Sequence, residues 1–303
     1  MRIWGGLFSL GCLLAAGNRE DLDRDGLPDK LEQALLERFV PELVLSGEEC
    51  DGLPAELTAG VRDPVVLARN GVLYGQAFRR RGRFVELHYF HLWGRDCGRA
   101  GHALDAEHVS ALVEADRADA PAKQWKARYW YAAGHEGTVC DRSHAARAAS
   151  LQAVDRGPRV WVSAGKHASY LDEAWCSWGC GADRCAVNGR RWRPSRIINL
   201  GERGAPLNAA TWVESRRWNL GTKLGGDFPS ALLADLDKSS GVMLLWPALR
   251  PAQSVLMAGG EVGAALRLAD TETGAALAMS MEKTGRALKR SAESVARFLG
   301  RGR

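Results

Sequence analysis

The sequence predicts a mainly β fold, an antiparallel β-sandwich with a short N-terminal calcium-loop helix and a C-terminal helical tail. Residues 84–93 (Phe-Val-Glu-Leu-His-Tyr-Phe-His-Leu-Trp) are crowded with aromatic and β-branched side chains, and 107–114, 125–133 and 159–163 share that character. Gly-rich and charged turns separate these stretches, with no helical pattern between them, which favours a sandwich or barrel. Hydrophobic residues make up 46% and charged residues 25% of the 303, an ordinary globular balance with enough apolar side chains for a sizeable core.

The formal net charge of +5 is misleading, because residues 281–303 carry seven positive and two negative side chains and so hold all of it. A neutral body argues against a nucleic-acid protein, which needs Lys and Arg spread over a face. Apolar runs fall short of the roughly 20 residues a spanning helix requires.

Taken in order, residues 1–17 read as an export signal: one positive charge, an apolar stretch, small residues, then an abrupt polar change at Asn18. Cleavage near Gly17 is expected, with lipid attachment at Cys12 as the alternative, and the location is secreted or cell envelope. Either route leaves six cysteines, Cys50, Cys97, Cys140, Cys176, Cys180 and Cys185, an even set that in an exported chain implies up to three disulfides of undetermined pairing. The expected organisation is a signal at 1–17, a calcium loop and helix at 18–40, a sandwich at 41–257, and an Ala/Gly-rich segment with a basic amphipathic helix at 258–303.

Residues 21–32 fit the twelve-position calcium loop. Asp21, Asp23, Asp25 and Asp29 fall at positions 1, 3, 5 and 9, the Leu27 carbonyl at 7, Gly26 at 6 and Glu32 at 12. Alternate carboxylates in a tight turn point at one centre, and Glu32 closes the sphere from the following helix. Leu31, Leu35, Leu36 and Phe39 recur at helical spacing, and Pro41 is expected to stop that helix. Pro28 replaces the usual hydrophobic residue, and no incoming helix is expected before Asp21, unlike a paired EF-hand.

All seven histidines lie between His88 and His167, a window of 80 residues that becomes the site hypothesis. On a strand from Asp105, the carboxylates of Asp105 and Glu107 share a face while His108 points to the other. His102, three residues earlier in a turn, can fold back over that face, giving one imidazole and two carboxylates for a second divalent metal. His88 and His91 lie on opposite strand faces, and His144 reads as a loop residue. If the window is catalytic, a metal-bound water attacks an ester or phosphodiester with Glu107 or His135 as base. The chain has neither a Gly-x-Ser-x-Gly elbow nor a His-Glu-x-x-His helix.

The segment Gly101-His102-Ala103-Leu104-Asp105-Ala106-Glu107 resembles the heptapeptide Gly-His-Arg-His-Asp-Trp-Glu of the necrosis- and ethylene-inducing-like proteins. Asp105-Ala106-Glu107-His108-Val109, Gly165-Lys166-His167-Ala168-Ser169-Tyr170 and Glu37-Arg38-Phe39-Val40-Pro41 resemble segments of the vacuolar protein sorting-associated protein 62 family. The echoes span roughly residues 35–175. The first resemblance implies a β-sandwich in which His102, Asp105 and Glu107 hold a divalent metal. Ala103, Leu104 and Ala106 replace Arg, His and Trp, which leaves the ligands but removes residues tied to cytolysis. For a further upstream acid of the first family, Asp96 is an approximate match. The second resemblance makes His167 the expected fourth ligand, with His135 next.

Further strands are expected at 196–200 and 241–246, and Trp192, Trp212, Trp218 and Trp246 read as core residues. Leu288, Ala292, Val295 and Leu299 form one stripe of a basic helix suited to docking or to peripheral membrane contact. The functional expectation is an exported protein that binds a glycan or lipid headgroup through the His/Asp/Glu metal site; the alternative is a metal-dependent hydrolase.

Overall fold

The computed structural model describes residues 20–244 apart from 81, 99–100, 137–140, 178–182, 187, 203, 215–226, 229–231, 234–235 and 239–240. The chain enters through helix α1 (Asp29–Arg38). Strands follow as β1 (Glu42–Leu45), β2 (Glu56–Leu57), β3 (Val66–Ala68), β4 (Leu73–Arg79), β5 (Phe84–Arg95), β6 (Ala103–Glu114), β7 (Lys126–Ala132) and β8 (His144–Arg147). After β9 (Arg159–Val162) and β10 (Ser169–Tyr170) comes the short helix α2 (Glu173–Ser177). The remaining strands are β11 (Arg190–Trp192), β12 (Ile197–Asn199), β13 (Gly201–Glu202), β14 (Ala205–Pro206) and β15 (Val242–Leu244).

Seven strands form one sheet in the order β12-β4-β5-β6-β7-β8-β15, and four form a second in the order β10-β9-β1-β11. The expected sandwich is present and mainly β, with one difference. Two neighbouring pairs, β1 with β9 and β12 with β4, are parallel. Parallel neighbours need a crossover, and these pairs join chain segments far apart in sequence, which local patterning does not reveal.

The spine is the β5–β6 hairpin, in register from Phe84↔Glu114 to Arg95↔Ala103. Its side chains alternate between faces. Val85, Leu87, Tyr89 and Trp93 with Val109, Ala111 and Val113 pack inward, against Leu43 and Leu45 of β1 and Val160 and Val162 of β9. The other face is covered too. Phe90 and Leu92 meet Leu200, Trp212 and Val213, while Leu112, Tyr129 and Tyr131 meet Phe228, Leu232 and Leu236. Trp212 therefore lies on the outer side of the large sheet rather than between the two sheets, and Trp192 packs at the edge of the main core. Trp218, Trp246 and the basic tail helix lie outside the described residues. No described helix is long and apolar enough to cross a membrane.

Helix α1 begins directly after Pro28, whose fixed φ suits a helix entry, and carries Asp29 and Glu32 in its first turn, where the helix dipole favours negative charge. It ends at Arg38, three residues before Pro41, with the Phe39 N–H donating to the Leu35 carbonyl at 3.0 Å. Leu35, Leu36 and Phe39 are fully buried in the main core. The Tyr89 hydroxyl donates to the Leu36 carbonyl at 3.1 Å, fixing the helix across β5.

His144 departs from its expected loop placement. It opens β8 and is fully buried. Its Nδ1–H donates to the Arg142 carbonyl at 2.7 Å, and its Nε2 accepts the Leu171 N–H at 2.8 Å, so the neutral ring is satisfied on both sides. Burial pushes its pKa down to about 4, only partly opposed by the Arg142 carbonyl. A depressed histidine stabilises the fold above its unfolded pKa, and that contribution is lost as pH falls from about 6.5 towards 4. Replacing His144 with Gln should flatten the loss of urea stability across that window, by on the order of 2–3 kcal/mol. Identical pH profiles for wild type and variant would refute it.

Candidate functional site

Two polar centres contain the ligands expected from the sequence. The first is the acidic loop before α1. Gly26 adopts φ +86°, the left-handed backbone that glycine takes without penalty, and so turns the loop sharply. The Gly26 N–H donates to Asp21 Oδ2 at 3.0 Å, the Leu27 N–H to Asp25 Oδ1 at 2.6 Å and the Leu22 N–H to Asp29 Oδ1 at 2.9 Å. From the sheet, Arg79 donates its backbone N–H to Asp25 Oδ2 at 3.2 Å and its guanidinium to the Gly26 carbonyl at 2.8 Å. Asn199 of β12 donates to Glu32 Oε2 at 2.7 Å.

These bonds leave the inward oxygens for something else. Ligand atoms of Asp21, Asp23 and Asp29 lie within 4.8 Å of one another, as do those of Asp23, Asp25 and Glu32. Asp21 Oδ1, both Asp23 carboxylate oxygens and Glu32 Oε1 are buried with no hydrogen-bond partner. Burial, reinforced by the neighbouring aspartates, raises Asp23 to about 6. Glu32 rises to about 9 through burial and the same charges, although Asn199 opposes it. Like charges this close are unfavourable unless protonated or neutralised by a cation, so the loop can hold a metal.

The second centre lies inside the sandwich where β5 and β6 meet β10. His167, at the turn between β9 and β10, is fully buried and stacks on Trp93 with ring centroids 4.1 Å apart. Its Nδ1 is 2.8 Å from Asp105 Oδ2 and its Nε2 is 3.0 Å from Glu49 Oε1. Burial alone would lower its pKa, but the two carboxylates outweigh that and lift it to about 9. Both nitrogens are therefore N–H donors, and His167 is a cationic strut between two acids. Burial pushes Glu49 up, but His167, helped by the Gly165 and Asp51 N–H groups, holds it below its ordinary range.

Around the strut, Lys166 Nζ donates to Asp96 Oδ2 at 2.7 Å. His135 Nε2 meets Asp183 Oδ2 at 2.7 Å, and the Tyr170 hydroxyl donates to the same oxygen at 2.6 Å. Burial opposes the charged form of His135, but the Asp183 bond and charge, with Glu107 nearby, raise its pKa overall. Tyr170, fully buried, is pushed far above its usual value by burial and by Asp183. On the sheet, Trp93 Nε1–H donates to His91 Nδ1 at 2.9 Å, so His91 Nε2 carries the proton and donates to Ser169 Oγ at 2.7 Å.

Of the expected ligands, Asp105 and Glu107 do share the interior face of β6, and His108 points away from it. His167 arrives at Asp105. His102 sits at the rim with half its side chain exposed, its Nδ1 3.2 Å from the Leu104 carbonyl and its Nε2 3.9 Å from Asp96 Oδ2. Among the described residues, no group of ligand atoms within 4.8 Å joins His102, Asp105 and Glu107. Glu49 does group with Cys50 and His167, but the Cys50 sulfur is tied up in a disulfide.

Sequence reasoning missed Glu49 and Asp183. Glu49 directly precedes Cys50 and Asp183 lies two residues before Cys185, so the disulfides help to position both. Cys50 bonds Cys97 and Cys176 bonds Cys185. The first bridge sets Glu49 and Asp96 side by side against Gly165, whose carbonyl accepts from Cys97 N–H at 2.8 Å and whose N–H donates to Glu49 Oε2 at 3.0 Å. Knowing that pairing would have brought both acids to the His167 turn. Cys140 and Cys180 lie outside the described residues.

The fold and site together define a disulfide-linked, mainly β protein with metal-capable acidic centres. No family model matches the chain, and no curated protein matches it. The similarity to the vacuolar protein sorting-associated protein 62 family therefore rests on the short motifs alone. Solved structures similar to the chain include NLPPya in complex with glucosamine, at 15% identity and TM-score 0.36, covering 59% of this chain and 76% of that one. NLPPya in complex with mannosamine is similar at 16% identity and TM-score 0.34, over 59% and 77% of the two chains. Necrosis and Ethylene inducing Protein 2, from the causal agent of cocoa's Witches Broom disease, is similar at 16% identity and TM-score 0.38, over 75% and 99%.

Proposed function

We propose that the chain is an exported binding protein, a calcium-stiffened β-sandwich that holds a glycan or lipid headgroup through a second divalent cation at His102, Asp105 and Glu107. The gathering of acids at the inner centre carries this reading. Glu49, Asp96, Asp105, Glu107 and Asp183 collect there beside His135, Lys166 and His167. A divalent ion held by Asp105 and Glu107 adds positive charge to that set, and its outward positions accept hydroxyl or phosphate oxygens of a ligand. In this arrangement His167 orients Asp105 from behind.

Calcium is the ion proposed for residues 21–32, because a flexible, all-oxygen loop of this spacing suits a hard cation. The two disulfides support export, since cytosolic thiols are kept reduced. Binding is favoured over hydrolysis because both ring nitrogens of His167 and Nε2 of His135 are held by carboxylates rather than turned to a ligand.

Metal analysis of purified protein tests the reading. His102→Ala and Glu107→Gln should each lose one cation per chain relative to wild type, and retention of a glycan or vesicle ligand should vanish with chelator. Equal metal content in all three proteins would remove the site. Turnover of a phosphodiester or ester by wild type, abolished in Glu107→Gln, would replace binding by hydrolysis.

A further inference from the structure

The outward face of the β5–β6 hairpin carries a second histidine centre, on the opposite side of the sheet from Asp105 and Glu107. Glu86 and His88 of β5 and His108 and Ser110 of β6 project there, and all four are fully buried. Phe78, Phe90 and Tyr131 surround the imidazoles, with ring centroids 5.1–6.3 Å away. Asp227 arrives from more than a hundred residues later in the chain. Its Oδ2 lies 2.8 Å from His108 Nε2, 2.5 Å from Ser110 Oγ and 3.6 Å from His88 Nδ1. Glu86 Oε1 is 2.9 Å from His88 Nε2 and accepts the Asp227 N–H at 3.0 Å.

Proton placement makes this cluster unusual. Glu86 is an acceptor, so the neutral His88 ring carries its proton on Nε2. Its Nδ1 lone pair then faces Asp227 Oδ2, and Nδ1 is buried without a hydrogen-bond partner. A lone pair aimed at a carboxylate within an aromatic wall is unfavourable unless a positive charge lies between them. Ligand atoms of His88, His108 and Asp227 all lie within 4.8 Å of one another. Donors of a tetrahedral ion with bonds near 2.0 Å sit about 3.3 Å apart, between the 2.8 Å and 3.6 Å separations found here. Two imidazole nitrogens and one carboxylate suit a borderline cation. A carboxylate behind an imidazole, as Glu86 stands behind His88, fixes the tautomer of a metal-bound histidine and raises its basicity.

We propose that His88, His108 and Asp227 bind a zinc-class divalent cation at a site distinct from the calcium loop and from the Asp105 centre. His88 binds through Nδ1, His108 through Nε2 and Asp227 through its carboxylate, with Glu86 and Ser110 holding the ligands in place. His108 meets the ion as the neutral Nδ1–H tautomer: an imidazolium His108 releases its Nε2 proton to solvent as the ion enters, and a neutral Nε2–H ring moves that proton to Nδ1. Asp227 is followed by Phe228, Leu232 and Leu236, which pack on Tyr129 and Tyr131. The ion thus fastens this segment to the outer face of the sheet. The rival occupant is a second proton that makes His88 an imidazolium.

The full chain, stripped with chelator and reloaded, distinguishes the two. Wild type should take up one zinc that is lost, or weakened by about tenfold or more, in His88→Gln and in the near-isosteric Asp227→Asn. His102→Ala and Asp23→Asn should retain that zinc. Cobalt(II) added to wild type, which needs no variant to fold, should give visible absorption bands of a nitrogen- and oxygen-ligated ion. Absence of zinc uptake by wild type, unchanged uptake in both His88→Gln and Asp227→Asn, or nitrogen chemical shifts showing His88 doubly protonated at saturating zinc would overturn the proposal.

Discussion

Calcium added to chelator-treated protein is expected to raise its unfolding midpoint, and the rise should be larger at pH 8 than at pH 5. At free calcium a hundredfold above the dissociation constant, mass action contributes about 2.7 kcal/mol, or roughly 5–10 °C for a domain of this size. The pH dependence follows from Glu32 and Asp23, whose pKa values in the metal-free fold rise to about 9 and about 6. A carboxyl with a raised folded pKa binds a proton more tightly in the folded than in the unfolded chain. Metal-free stability therefore falls as pH rises from about 4.5 towards 9. Calcium replaces those protons, so its benefit grows across the same interval. Asp23→Asn should invert the pattern, removing the calcium increment while leaving the metal-free protein at least as stable as wild type, because one member of a repelling set is gone. Differential scanning calorimetry at the two pH values measures both. No calcium shift at pH 8 would eliminate the loop as a calcium site.

Truncation of His167 to Ala is expected to cost about 3–5 kcal/mol in urea unfolding, the range for removing one partner from a buried ionic set. The side chain is fully buried, and Glu49 and Asp105 are nearly so, with side-chain exposures of 3% and 11%. Without the imidazolium, two carboxylates would face each other inside the sandwich, and Trp93 would lose its stacking partner. Glu49→Gln in the His167→Ala background should recover part of that loss, since it deletes one of the stranded charges. A single-variant cost below about 1 kcal/mol, or no recovery in the double variant, would show that the ion triad does not hold this end of the sheets together.

The parts legible in the sequence share a physical property: their determinants are local. Strands β5, β6, β7 and β9 could be read from aromatic and β-branched runs because side-chain alternation has a period of two within one strand. The same period placed Asp105 with Glu107 on one face and His108 on the other, and set His88 against His91, before any partner was known. The acidic loop was legible because all its ligands fall within twelve residues and Gly26 supplies the reversal. His144 was misplaced for a related reason. Its strand is four residues long, and its satisfaction depends on Leu171, which is 27 residues away.

The sequence by itself determined the mainly β class, the acidic loop of residues 21–32 and the face on which each β6 side chain falls. The tertiary structure alone decided which charges meet. Glu49 reaches His167 across 118 residues, Asp183 reaches His135 across 48, and Asp227 reaches His108 across 119. It also decided the two parallel pairings and the covering of the outer face of the large sheet. Periodicity assigns a side chain to a face but not to a partner. Partners are chosen by how two sheets and their loops close over a common interior, and that choice turned one window of histidines into two separate centres on opposite sides of a single sheet.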